Sequence, residues 1–198
     1  MNVLINAGCG PAGVARLPRI FSDWQQIRVD LDPEVRPDVI ASITNLSSIS
    51  SKSANALWSA HCLEHLYAHE VGLALREFYR VLDDDGFACV VVPDLQAIGH
   101  FIATDRLHEA VYTSAAGPIT AHDMIYGYGD ALSNGREGMA HRCGFTPTLM
   151  MKRLKESPFQ EIVLRRRSTQ LELFAFLRKN PKVSTTEERN ALLTALET

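Results

Sequence analysis

Long hydrophobic runs, paired cysteines and a large excess of either charge are all missing from this chain. No apolar stretch approaches the ~20 residues that a membrane span needs, so no membrane partner is expected. The four cysteines, Cys9, Cys62, Cys89 and Cys143, lie far apart and none forms a CxxC pair, which speaks against a zinc site. Cys89 sits in an apolar run, where a reduced, buried thiol is expected. A net charge of -3 offers no broad basic surface to nucleic acid or anionic lipid. Met1 runs straight into Val3–Ile5 without a basic region or cleavage site. These absences together predict a reducing, cytoplasmic setting. No internal repeat or linker divides the 198 residues, so 1–198 is read as a single domain, and 46% apolar residues suffice for a sizeable core. The pattern says nothing of oligomeric state.

What is present begins with VLINAGCGPAG and, after a gap, IRVDLDP. Asn2–Asn6 reads as a buried strand followed at once by Gly8-Cys9-Gly10. Glycine lets the backbone turn sharply and lets a ligand come close. Gln26–Leu31 reads as a second strand with Asp30 and Asp32 at its end. A glycine turn after one strand and a carboxylate after the next is how open α/β sheets hold a nucleoside. Asp32 could instead cap the turn before Pro33.

Pro18 interrupts any helix over Ala12–Ile20, so a short or irregular connection is expected there. Val39–Ala41 is a short third strand, Asn45–Ser53 a loop, and Ala54–Ala60 a fourth strand running into HCLEHL. Val71, Leu75, Phe78 and Leu82 make one helical stripe, stopped by Asp83-Asp84-Asp85-Gly86. Phe87–Val92 is apolar on both faces, as a central parallel strand is, and Leu95–Ala103 is helical. Asp105–Phe145 carries no sustained period. It reads as a lid-like insert at about 104–145, and stretches of this length in compact domains are functional or disordered. Thr146–Ser157 is a helix with Thr146 as N-cap. Glu161–Arg167 and Leu171–Arg178 form a hairpin around Ser168-Thr169, and Thr185–Leu196 is a last helix. Alternating strands and crossovers predict a parallel sheet, and the short final connection adds an antiparallel pair.

GCGPAG is a literal GxGxxG, so a nicotinamide-dependent oxidoreductase is one reading, but that motif needs a helix directly after it. His61, Glu64 and His65 have no further partner at zinc-site spacing, so no metal is assigned. Glu64 and His65 read as structural hydrogen-bonding groups at a helix start. Arg165-Arg166-Arg167 reads as the charge that edge strands carry against sheet-to-sheet pairing.

INAGCGPAG at 5–13, VDLDP at 29–33, ALWSAHCLEHL at 56–66 and REFYRVLDDDGFACVVVPD at 76–94 resemble the class I S-adenosylmethionine-dependent methyltransferases, in particular a small branch with an HxLEHL segment. The likeness is good over 3–94 and looser through Gly144–Met150. It implies an α/β, doubly wound, mostly parallel seven-stranded Rossmann-like sheet with an antiparallel terminal hairpin. It also implies S-adenosylmethionine as cofactor and a small-molecule methyl acceptor. By that resemblance Asn6, Ala7, Gly8 and Gly10 line the methionine and ribose, and Asp30 with Leu31 beside it meets the ribose hydroxyls. Ser42, Ile43 and Thr44 surround the adenine, and Ala60 and His61 lie by the methionine. Two departures stand out: serine at 42, where the family often has an acid, and the shortened first helix. An oxygen or nitrogen acceptor needs a base, for which His61, His122 and His141 are the candidates. The alternative is a non-catalytic binding protein that keeps the fold.

Overall fold

Short apolar strands separated by crossovers assemble into one seven-stranded sheet in the computed structural model, which describes residues 1–12, 17–114, 116–181 and 185–196. The strands are β1 (Val3–Ala7), β2 (Gln25–Asp30), β3 (Val39–Ile40), β4 (Ala54–Ala60), β5 (Leu82–Pro93), β8 (Glu161–Arg167) and β9 (Glu172–Arg178). Two further strands, β6 (Ala110–Ser114) and β7 (Gly117–Thr120), form a separate antiparallel hairpin. The main sheet runs β3-β2-β1-β4-β5-β9-β8; its first five strands are parallel, and β9 is antiparallel to β5 and to β8. This is the mostly parallel sheet with a terminal hairpin that the alternation predicts, in the doubly wound form that the resemblance implies.

Each face of the sheet has its own apolar layer. On one, Ile5, Leu57, Val90 and Ala175 pack against α1 (Val71–Val81) and α5 (Pro147–Lys155), through Leu75, Phe78, Met150 and Leu154. Thr146 caps α5 by accepting from the Leu149 amide. On the other face, Leu4, Trp58, Cys89, Phe174 and Phe176 meet Phe21, Leu193 and Leu196, the last two from α6 (Thr186–Leu196). A single 3₁₀ turn, Arg19–Phe21, stands on this face after the glycine turn. The expectation for Ala12–Ile20 falls partly on residues 13–16, outside the described residues.

Three differences from the sequence reading have plain causes. Leu82 and the acidic run after it belong to β5, because the register jumps from Ala54↔Leu82 to Ala56↔Phe87 and the acids loop out as a bulge. Asn55 holds that bulge: its amide donates to Asp83 Oδ2 at 2.6 Å while its Oδ1 accepts from the Val3 amide at 2.8 Å. Asp105–Phe145 is built of short elements, the β6–β7 hairpin, α3 (Ala121–Tyr126) and α4 (Gly129–Ser133), each below the length at which periodicity is readable. Arg166 and Arg167 are not free edge charges. Arg166 Nε pairs with Asp94 Oδ2 at 2.9 Å, and Arg167 lies over the Phe174 ring and near Glu172.

The segment 94–145, which adds residues 94–103 to the insert, starts and ends at one place. Asp94 follows β5 and caps α2 (Leu95–Ala103) by accepting from the Gln96 and Ala97 amides. Phe145 bridges back to Asp94, and the Leu95 amide donates to the Phe145 carbonyl at 2.9 Å. The insert is therefore a closed loop set over the carboxyl ends of the central strands, where α/β sheets bind ligands.

The polar 46–51 loop is ordered by one ion pair on α1. Arg80 grips both Glu77 oxygens, at 2.8 and 2.9 Å, and donates to the Leu46 and Ile49 carbonyls. The Leu46 amide donates back to Glu77 at 2.6 Å. Arg80 accordingly holds the Glu77 carboxyl below its ordinary value of 4.5. A depressed folded-state value stabilises the fold above the unfolded value and stops doing so as pH falls through the folded one. Glu77→Gln should cost about 1–2 kcal/mol at pH 7 by denaturant unfolding. The difference from the native chain should shrink as pH drops below 4.5. An equal difference at pH 7 and pH 3 would exclude this account.

Candidate active site

The turn after β1 closes onto the end of β2. Gly8 and Gly10 have φ of 73° and 58°, the left-handed region that side-chain-bearing residues rarely enter. The Val29 carbonyl accepts from both Gly8 and Cys9 amides, at 2.9 and 3.0 Å. The Asp30 carboxylate accepts from the Gly10 amide at 2.9 Å through Oδ2 and from the Asp32 amide at 3.0 Å through Oδ1. Arg28 completes the turn by donating to the Gly10, Val35 and Arg36 carbonyls. Asp32 caps the following 3₁₀ turn by accepting from the Glu34 amide, as its alternative reading has it. Its other oxygen meets Arg136 of the insert at 3.1 Å, so the insert reaches across to the tip of β2.

The expected cofactor residues divide by side-chain direction. Asn6 is buried and lines a 190 Å³ cleft with Cys9, Gln26 and Arg28. Ala7 and Ile43 point into the core, so they can offer a ligand only their backbone. The Ala41 amide donates to the Asp30 carbonyl, which sets Ser42–Thr44 next to the end of β2; the Ser42 and Thr44 hydroxyls bond each other at 2.8 Å. Leu31 stands exposed beside Asp30. Gly8 is pressed against Cys62, whose Sγ would lie 2.4 Å from a Cβ built on that glycine.

The second half of the site follows β4. His61 also has a positive φ, 51°, and its amide donates to the Val91 carbonyl. Its ring is 2.9 Å from Glu172 Oε1 through Nε2 and 3.4 Å from Glu64 Oε1 through Nδ1. Burial disfavours the imidazolium, but the two carboxylates outweigh it and lift the pKa to about 10. His61 is thus a cation at neutral pH, which does not suit it to the base role expected of it.

Glu64 is 1% exposed, and neither carboxylate oxygen has a hydrogen-bond partner among the described residues. His65 and His141 stand beside it, ring centroids 4.8 Å apart. Carbonyls only accept, so His65 Nδ1–H donates to Ala140 and His141 Nδ1–H to Met124, at 3.2 and 3.1 Å. Each neutral ring then keeps a lone pair on Nε2. Burial holds the His141 pKa down, so its ring stays uncharged at neutral pH. The Arg142 and Cys143 amides both donate to the Glu64 carbonyl and tie the insert to this turn. His122 is placed apart: its ring contacts are with His108 and Tyr126.

Four partners in the site escaped the sequence reading: Arg28, Cys62, Arg136 and Glu172. Glu172 left a signal, as the one acid opening a strand otherwise apolar up to its last residue, ELFAFLR. The others left none, because the 104-residue separation of Arg136 from Asp32 and the packing of Cys62 on Gly8 are tertiary facts.

Comparison with known proteins adds a likeness over part of the chain. Residues 5–90, which hold the glycine turn, Asp30, β4 and the Glu64–His65 turn, match the family model described as a methyltransferase domain. The rest of the molecule is shared at the level of fold. The Burkholderia thailandensis 1,6-didemethyltoxoflavin-N1-methyltransferase, whose structure holds 1,6-didemethyltoxoflavin and S-adenosylhomocysteine, is 17% identical, with TM-score 0.52 over 90% of this chain and 71% of that one. A SAM-dependent methyltransferase from Archaeoglobus fulgidus is 11% identical with TM-score 0.57, over 90% and 86% of the two chains. A possible histamine N-methyltransferase from Thermotoga maritima is 13% identical with TM-score 0.56, over 91% and 83%. No curated protein matches the chain. No described helix of this protein is long and apolar enough to cross a membrane.

The packing of Gly8 gives a direct check. Gly8→Ala should cost about 2–4 kcal/mol, from the left-handed backbone and the contact with Cys62 together. Adding Cys62→Ala should recover only the part due to Sγ. Urea unfolding that finds Gly8→Ala within about 0.5 kcal/mol of the native chain, the range of an ordinary surface change, would exclude this packing.

Proposed function

We propose that this protein is an S-adenosylmethionine-dependent methyltransferase acting on a small-molecule oxygen or nitrogen acceptor. The observation that carries the reading is the joining of Gly8–Gly10 and Asp30 in one turn, with the carboxylate half-exposed at the strand end. The residues fit the cofactor: a Cβ at Gly10 would meet nothing within 4 Å, so the turn leaves room for a ligand. In this reading Asp30 accepts the ribose hydroxyls with lone pairs its two backbone bonds leave free. The backbone of Asn6–Gly10 and the Ala60–His61 junction border the methionine, and Ser42–Thr44 borders the adenine. S-adenosylmethionine supplies a methyl group on a sulfonium, already a good leaving group. The protein's work is therefore alignment and exclusion of water. The insert over the strand ends serves as the cover, latched by Arg136 on Asp32 and by the Glu64 carbonyl. Among the three candidate bases, uncharged His141 suits proton removal best.

Cys62 packed on Gly8 supports a second reading, a binding protein that keeps the fold without the chemistry. Titration calorimetry separates the two. The native chain should bind S-adenosylmethionine, and Asp30→Ala should weaken binding at least tenfold, about 1.4 kcal/mol or more. Asp30 also holds the turn through both oxygens, so thermal melts of Asp30→Ala and the native chain without ligand distinguish ligand loss from loop damage. No binding by the native chain would overturn the methyl-transfer reading.

A further inference from the structure

We propose that Glu64, His65 and His141 form a binding site for a first-row divalent transition metal of the zinc class. The sequence spacing alone gave no such site, because its third member lies 76 residues beyond His65 and joins only when the insert folds back. One donor atom from each of the three residues lies within 4.8 Å of the others. Small side-chain rotations bring such a set to the ~2.0–2.2 Å bonds that imidazole and carboxylate make to zinc.

Two independent features mark the group as built for a cation. The first is the Glu64 carboxylate, 1% exposed, with no hydrogen bond to either oxygen among the described residues. A buried carboxylate without hydrogen-bond donors is costly; the His61 ring offsets part of that cost, and a metal ion is the partner that would repay the rest. His61 stands 3.4 Å from one oxygen, yet its shorter contact is the 2.9 Å one to Glu172, so it stays tethered when Glu64 turns to a metal. The second feature is the orientation of both histidines. Each Nδ1–H is fixed on a backbone carbonyl, Ala140 or Met124, which leaves the Nε2 lone pair free for a metal. That outer-shell arrangement recurs around metal-bound histidines. Two imidazoles and one carboxylate favour zinc and its neighbours over magnesium, which prefers an all-oxygen shell.

The site does not depend on methyl transfer. If both hold, the neutral His141 ring serves as a ligand, and activation of an oxygen acceptor passes to the cation's open position. The metal would then acidify a bound hydroxyl as it does a bound water.

The test is calorimetric titration of the metal-free full chain with ZnCl₂, alongside MnCl₂ and MgCl₂, with thermal melts on the same samples. The native chain should bind one Zn²⁺ and melt higher with it. Glu64→Gln, His65→Gln and His141→Gln should each lose more than the ~10–100-fold in affinity that an outer-shell change costs. His122→Gln, on the same insert but outside the cluster, should bind normally. His141→Gln guards against misfolding, being less buried than Glu64. Cys62 and Cys143 are the competing ligands nearby, so Cys62→Ser and Cys143→Ser should keep full affinity. Cobalt substitution should give ligand-field bands without a thiolate charge-transfer band. No zinc binding, zinc binding lost with the cysteines but kept in His141→Gln, or binding of Mg²⁺ alone would each overturn the assignment. Binding of S-adenosylmethionine is read separately, so failure of one proposal leaves the other standing.

Discussion

The molecule depends on the closure of the β1 turn by the end of β2. A backbone that turns through two left-handed residues leaves several amides pointing inward. These need acceptors, since an orphaned buried amide costs as much as a lost hydrogen bond. The Val29 carbonyl takes two and the Asp30 carboxylate takes another. The same carboxylate therefore sets the turn and presents oxygens to whatever lies against it. In the proposed reading Asp30 is a ligand-facing acid that is also a structural acceptor, positioned by the fold before any ligand arrives, and such preorganisation lowers what binding must supply.

The second half of the site depends on the closed insert. Together with α2 before it, the insert leaves and rejoins the sheet at Asp94 and Phe145, so its ends need no separate anchoring. What it carries is thereby brought over the strand ends: Arg136 to Asp32, and His141 to Glu64 and His65. The turn after β4 contributes a buried carboxylate, Glu64, whose oxygens have no hydrogen-bond donor among the described residues. His61 at a positive φ, held between Glu64 and Glu172, shows how much local strain this corner accommodates. The terminal hairpin matters here too, because Glu172 opens β9 and β9 sits next to β5 in the sheet.

Much of the fold was legible because its elements carry strong local patterns. The stripe of Val71, Leu75 and Phe78 predicted α1, Thr146-Pro147 marked the start of α5, and the tight turn near Ser168 fixed an antiparallel pair. The site was legible only in its first half. Asn6, Gly8, Gly10 and Asp30 are close in sequence to the strands that place them. Of the three histidines expected as bases, the structure joins His61 and His141 around Glu64 and leaves His122 with His108 and Tyr126. Charge decides further between them: two carboxylates keep His61 protonated, while burial keeps His141 neutral.

Local sequence thus determined the strand–turn–strand that could hold a nucleoside, the parallel sheet and the closing hairpin. Each follows from side-chain period, glycine freedom and connection length, which act over a few residues. Tertiary structure alone decided which way Ala7 and Ile43 point, that Cys62 fills the space beside Gly8, and that Glu64 meets His141. Those depend on segments tens of residues apart being pressed together by the burial of the core, and no short-range pattern carries that information.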